Sequence, residues 1–159
     1  MPGKSLDHEI VIPAVEWMSA LKPLLDGGHE LKLRPVGSSM VPFLVGGRDE
    51  VFLRSPKMKK PVRGDIALFS RDDGLFVLHR IHHVRKDGYY MLGDAQTWIE
   101  GPVREGSIQA IATAVIRKNK KVSCGEPGLR FLTGLWLLLR PVRPLIFRLY
   151  GGLRRIFPR

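Results

Sequence analysis

Between residues 30 and 117 the chain never sustains a helical apolar period. Short runs rich in branched and aromatic residues alternate with turn-forming clusters, and that rhythm admits few architectures. The runs are ELKLRPV (30–36), EVFLRS (50–55), DIALFS (65–70), LFVLHRIHHV (75–84), YYMLGD (89–94) and SIQAIATAVIRK (107–118). Between them lie VGGRD, KKPVRGD, SRDDG and RKDG, and the glycines of RDDG and KDG supply the positive φ that tight hairpin turns need. Many short strands with frequent turns predict a mainly β domain over residues 29–118, an antiparallel sandwich or partly open barrel.

The flanks follow another period. Within residues 1–28, Val11, Val15, Met18, Leu21 and Leu25 recur at steps of three and four, which predicts a short helix stopped by Gly27 and Gly28 and limited by Pro13 and Pro23. Residues 119–159 form a tail in which Leu132, Leu135, Leu139, Val142, Ile146, Leu149, Leu153 and Ile156 share one helical face. Arg130, Arg140, Arg148 and Arg155 fall on the other side, and Pro141 and Pro144 divide the tail into two helices.

Charge follows the same division. Of the net +11, the chain up to Ile116 carries +1 and the remainder +10. A nucleic-acid enzyme needs a basic groove across its body, so nucleic acid is not the expected partner. A basic, amphipathic tail with Trp136, Phe147, Tyr150 and Phe157 predicts binding of residues 129–159 to an anionic membrane surface. No apolar run is long enough to span a bilayer. The opening residues lack a secretory h-region, which favours peripheral association on the cytoplasmic face. The single cysteine, Cys124, excludes an intramolecular disulfide.

Three segments carry candidate chemistry. The turn Gly37-Ser38-Ser39-Met40 offers an exposed hydroxyl and free backbone N–H groups, which a serine nucleophile and its oxyanion require. The strand FVLHRIHHV carries His79, His82 and His83; strict alternation puts His79, Ile81 and His83 on one face and Arg80, His82 and Val84 on the other. A histidine titrates near neutrality and serves as a general base, and the spacing does not match a helical zinc site. Asp94 follows an apolar strand and a glycine; it is either an Asx turn or a carboxylate that orients an imidazole.

In their order along the chain, GSSMVPFL, RGDIALF, FVLHRIHHV and YYMLGDAQTWIEG resemble the type I signal peptidase family, within the clan that includes LexA-like self-cleaving repressors. The resemblance covers residues 34–116. It implies a signal-peptidase-like β fold with Ser39 as nucleophile, Met40 and Pro42 in a Ser-Met-x-Pro signature, and Asp94 in the Gly-Asp that closes the site. His79 stands where the bacterial branch has lysine and the endoplasmic-reticulum and archaeal branch has histidine, and there is no lysine between Lys60 and Lys86. Glu100 falls near a second acidic position of the family. Gly37 stands where the family has serine and offers only its backbone, beside Ser38, to the oxyanion. The resemblance therefore implies a serine endopeptidase, without metal or organic cofactor, that cleaves leader or precursor peptides bound in extended form. The rival expectation is a catalytically silent β module that binds extended peptides at a membrane. Self-cleavage would need an Ala-Gly or Cys-Gly bond upstream of Ser39, and the sequence has none there.

Overall fold

The computed structural model describes residues 14–156. Residues 10–13 of the expected first helix, with Val11 and Pro13, and Phe157 of the tail lie outside them, as does most of the opening segment read for a secretory signal. In chain order the elements are helix α1 (Ala14–Asp26), strands β1 (Leu31–Leu33), β2 (Glu50–Arg54), β3 (Ile66–Ser70), β4 (Phe76–Arg85), β5 (Gly88–Leu92), β6 (Glu100–Val103), β7 (Ile108–Arg117) and β8 (Lys120–Ser123), and helices α2 (Pro127–Leu138) and α3 (Arg143–Ile156).

All the strand pairings are antiparallel. The sheet runs β1-β2-β7-β3-β4-β5-β6, with β8 hydrogen-bonded to β7. It does not close on itself, and among the described residues the outer edge of β1 carries no further strand. The six predicted runs are all strands. Two more were not legible: β6 contains Gly101 and Pro102, and β8 is half lysine and largely exposed. The β7–β8 turn uses Lys118 and Asn119 at positive φ, without a glycine, so the sheet extends past residue 118 to Ser123.

β3 explains where the core sits. Ile66, Ala67, Leu68 and Phe69 are all buried, so both faces of this strand are covered. Leu68 joins Met40, Leu44, Leu53 and Leu78 on one face. Phe69 joins Ile81, Met91 and Ile108 on the other. The side-chain alternation of a strand divides the interior into two apolar clusters.

The sequence leaves open which side of the tail faces the body, and the structure answers it. Arg130 donates to Asp65 at 3.0 Å and to the Arg63 carbonyl, while Arg140 donates to the Thr97 carbonyl, so these arginines point at the sheet. Thr133 and Leu137 are buried on the same side. Leu132, Leu135, Val142 and Leu149 lie outward with Phe131, Leu138 and Leu145, and Phe131 and Leu138 are 73% and 68% exposed. Of the stripe, Leu132, Leu135, Val142 and Leu149 face outward and Leu139 and Ile146 are half-buried, while Arg130 and Arg140 dock and Arg148 stays exposed. The inward arginines find carboxylates and carbonyls there, which offsets their desolvation.

This orientation separates two neighbouring leucines. Leu137→Ala is expected to cost about 2–5 kcal/mol in urea unfolding, because it empties a packed site. Leu138→Ala is expected to stay within about 0.5 kcal/mol of the parent.

Candidate active site

The loop from Pro35 to Gly47 closes on itself through a 2.8 Å hydrogen bond from Gly47 N to Pro35 O. Met40 and Leu44 plug it into the core, and Leu44 N donates to Met40 O. Asp49, fully buried, accepts from Val45 N and from Arg48, which fixes the far side of the loop. Ser39 is therefore half-buried on a rigid support, next to the anchored Met40, while Ser38 is exposed. Gly37 adopts φ +87°, a conformation L side chains rarely take, so a serine there would be strained. Glycine at 37 is thus a demand of this loop's backbone.

Ser39 is held from the other side by the turn after β5. Ala95 N donates to Ser39 O at 2.8 Å. A Cβ on Gly93 would stand 2.8 Å from that same oxygen and 2.6 Å from Gln96 Oε1, so only glycine lets the two segments approach. Arg80 pairs with Leu92 across β4 and β5, and one further step of the register sets Gly93 across from His79. The serine loop thus lies over the end of β5 and packs Met40, Phe43 and Leu44 on the Leu78 and Arg80 face of β4, whereas His79 faces the other way, toward Phe69 and Ile81. Beside it, a cavity of about 130 Å³ opens between Val36 and Gly37 on one side and Phe76, Val77 and Leu78 on the other.

His79 is 2% exposed, on the β4 face shared with Phe69 and Ile81. Its Nδ1 is buried without a hydrogen-bond partner and lies 3.8 Å from Glu100 Oε2. Glu100 in turn accepts both arms of Arg71, at 2.6 Å for Nη2. Burial drives the His79 pKa from 6.5 down to about 4; Glu100 pulls the other way and Arg71 adds to the fall. The imidazole is therefore neutral at pH 7, although a pKa of about 4 makes it a weaker base than the near-neutral value that suits general-base catalysis. Among the described residues, no hydrogen bond joins Ser39 Oγ to His79.

The carboxylate expected to orient His79 is engaged elsewhere. Asp94 is fully buried, and both its oxygens accept from Arg80, at 2.9 and 2.7 Å. Arg80 Nη1 donates to Gly64 O, and its guanidinium lies over the Phe43 ring. The reason is alternation: His79 and Arg80 are successive residues, so they face opposite sides of β4, and Asp94 lies on Arg80's side. Glu100, expected only as a minor acidic position, is the carboxylate beside the imidazole. Arg71, read from the sequence as part of a turn, completes that group. Arg80 and Arg71 had one signal: an arginine within or at the end of a strand otherwise built to be buried.

Alternation fails further along β4. A bulge between Ile81 and His83 brings His82 and His83 together, Nδ1 to Nδ1 at 2.7 Å, with His83 stacked on Tyr90. The predicted separation of these two rings onto opposite faces does not hold. Cys124 offers no competing nucleophile, because burial pushes its thiol pKa up.

Against known proteins, no family model, curated protein or solved structure matches the chain.

An NMR titration checks the electrostatics. The His79 imidazole should stay neutral until about pH 4. The unfolded chain takes that proton near 6.5. Stability is then full above pH 6.5 and falls as the pH drops toward 4, because the unfolded state binds more protons in that window. A His79 titration midpoint at or above 6.5 would contradict the buried, neutral imidazole.

Proposed function

We propose that the protein is a serine endopeptidase of the signal-peptidase type, with Ser39 as nucleophile and His79 as base. The observation that supports this reading is the Ser39 loop held by the turn after β5, through Ala95 N to Ser39 O, beside the strand that carries the buried His79, whose Nδ1 lies 3.8 Å from Glu100. Ser39 Oγ attacks the scissile carbonyl, and His79 takes the hydroxyl proton through Nε2. The oxyanion is met by backbone N–H groups around Ser38 and Ser39. Collapse of the tetrahedral species expels the amine, which receives the proton from His79, and water then releases the acyl group by the reverse sequence. Apo sites commonly hold base and nucleophile outside hydrogen-bond reach until substrate draws them together.

In this reading Glu100, steadied by Arg71 and 3.8 Å from His79 Nδ1, stabilises the imidazolium that forms, while Asp94 braces Arg80. The small apolar cavity beside Ser39 suits small side chains before the scissile bond. An extended substrate lies along the chain at residues 35–37 and the start of β4. The two-sided core fits a sheet curled toward a partly open barrel, the finer architecture we infer.

The outward apolar side chains of α2 and α3 would insert into a membrane surface, with the exposed Arg148 meeting anionic headgroups. Among the described residues no helix is long and apolar enough to cross a membrane. Since Arg130, Arg140 and Arg143 are spent on the body, this docking is more hydrophobic than the tail's charge suggests.

A second reading, a silent β module that binds extended peptides, draws on the missing Ser39–His79 hydrogen bond. A fluorophosphonate probe separates the two. Ser39 should be labelled and a leader peptide cleaved, with Ser39→Ala and His79→Ala each abolishing both; cleavage that survives both substitutions ends the peptidase reading. Glu100→Gln should lower the labelling rate by about 10²-fold with little change in Tm. Asp94→Asn should instead cost about 3–5 kcal/mol of stability, because it strands the buried Arg80 charge. Leu138→Asp with Leu145→Asp should remove sedimentation with anionic vesicles while leaving the circular dichroism unchanged.

A further inference from the structure

The turn beneath Ser39 is gripped by the tail. Gly93 O and Gln96 O accept from Arg143 Nη1 at 3.0 and 2.6 Å. Asp94 O accepts from Trp136 Nε1 at 2.8 Å, and Thr97 O from Arg140 Nη1 at 3.0 Å. Of the carbonyls from Gly93 to Thr97, only that of Ala95 is not held this way, and the Ala95 N–H is the group that holds Ser39 O.

Arg143 is the centre of this grip. It opens α3, is 0% exposed, and its second terminal nitrogen donates to Trp136 O at 3.0 Å. Its guanidinium also lies 5.1 Å from the centre of the Trp136 ring. Among the described residues the fork donates only to backbone carbonyls, and Nε has no partner. A buried cation without a bonded carboxylate is a costly way to fill space, since an apolar side chain packs there without desolvation. What the planar fork supplies is simultaneous reach to three carbonyls, on the turn and on α2, which a lysine cannot reproduce.

We propose that Arg143, with Trp136 and Arg140, is a positioning residue for Ser39. The tail fixes the Gly93–Gln96 turn, and the turn fixes the nucleophile's backbone through Ala95. The inference rests on the reading of Ser39 as nucleophile. It makes the tail part of the catalytic apparatus as well as a membrane contact.

The test uses the full chain with Arg143→Ala, Arg143→Lys and Trp136→Phe, read by amide hydrogen exchange and by fluorophosphonate labelling of Ser39. In Arg143→Ala the Ala95 amide should exchange at least tenfold faster, and labelling should slow at least tenfold, while amides of β3 and β7 keep their protection. Millimolar guanidinium ion should restore part of the labelling, which a general loss of stability would not allow. Arg143→Lys should recover less than half of the parent rate. Ala95 exchange and labelling within twofold of the parent, with β3 and β7 protected, would overturn the proposal. If Arg143→Ala does not fold, Trp136→Phe carries the same two readings, because it keeps an aromatic ring and loses the bond to Asp94 O. If the parent protein takes no probe, the nucleophile reading fails, and Ala95 exchange alone still decides whether the tail fixes the turn.

Discussion

Arg80 and Asp94 meet in the interior with the guanidinium fork fully assigned, two arms to the carboxylate and one to Gly64 O. Three separate stretches of chain converge there: the turn before β3, the middle of β4 and the turn after β5. A buried pair gains little net free energy, because desolvating two charges roughly cancels their attraction. Its effect is on geometry. It leaves one arrangement of those three stretches in which no charge is stranded. With Arg80 committed to one face of β4, its neighbour His79 must face the other, toward Phe69, Ile81 and Glu100. The imidazole's environment is thus a consequence of the ion pair behind it.

Much of the fold was readable because it depends on local patterns. The six strand runs, the hairpin glycines and the first helix follow from periodicity and turn chemistry, except that α1 runs through Pro23 to Asp26 instead of being limited by it. What escaped were elements whose register is set by a neighbour. β6 forms because Tyr89 and Met91 offer it an edge, although Gly101 and Pro102 argue for a loop. β8 forms because Lys118 and Asn119 accept positive φ and return the chain along β7. The site divides the same way. Ser39 and His79 stand on recognisable segments, but the partner of each carboxylate depends on which face of β4 it meets, and no spacing rule encodes that. The bulge beyond Ile81 shows the limit directly: one irregular residue was enough to bring together His82 and His83, which alternation would separate.

The tail reads as a stripe without a direction. A helical wheel locates an apolar stripe but not the side that faces the body. Burial is decided by the partners available, and here the sheet presents Asp65 and the carbonyls of Arg63, Gly93, Gln96 and Thr97. Arginine satisfies those groups and leucine does not. The leucines are displaced outward into a continuous apolar surface, which is unusual for a chain exposed only to water.

The hydrogen bonds from Trp136, Arg140 and Arg143 also have a temporal meaning. A ribosome makes the chain from its amino end, and domains begin to fold as they emerge. All eight strands, together with Ser39 and His79, are synthesised before these three side chains exist. The nascent sheet can therefore assemble while the carbonyls of the turn under Ser39 still lack their final partners. Order at that turn arrives last, with the helices that close over it.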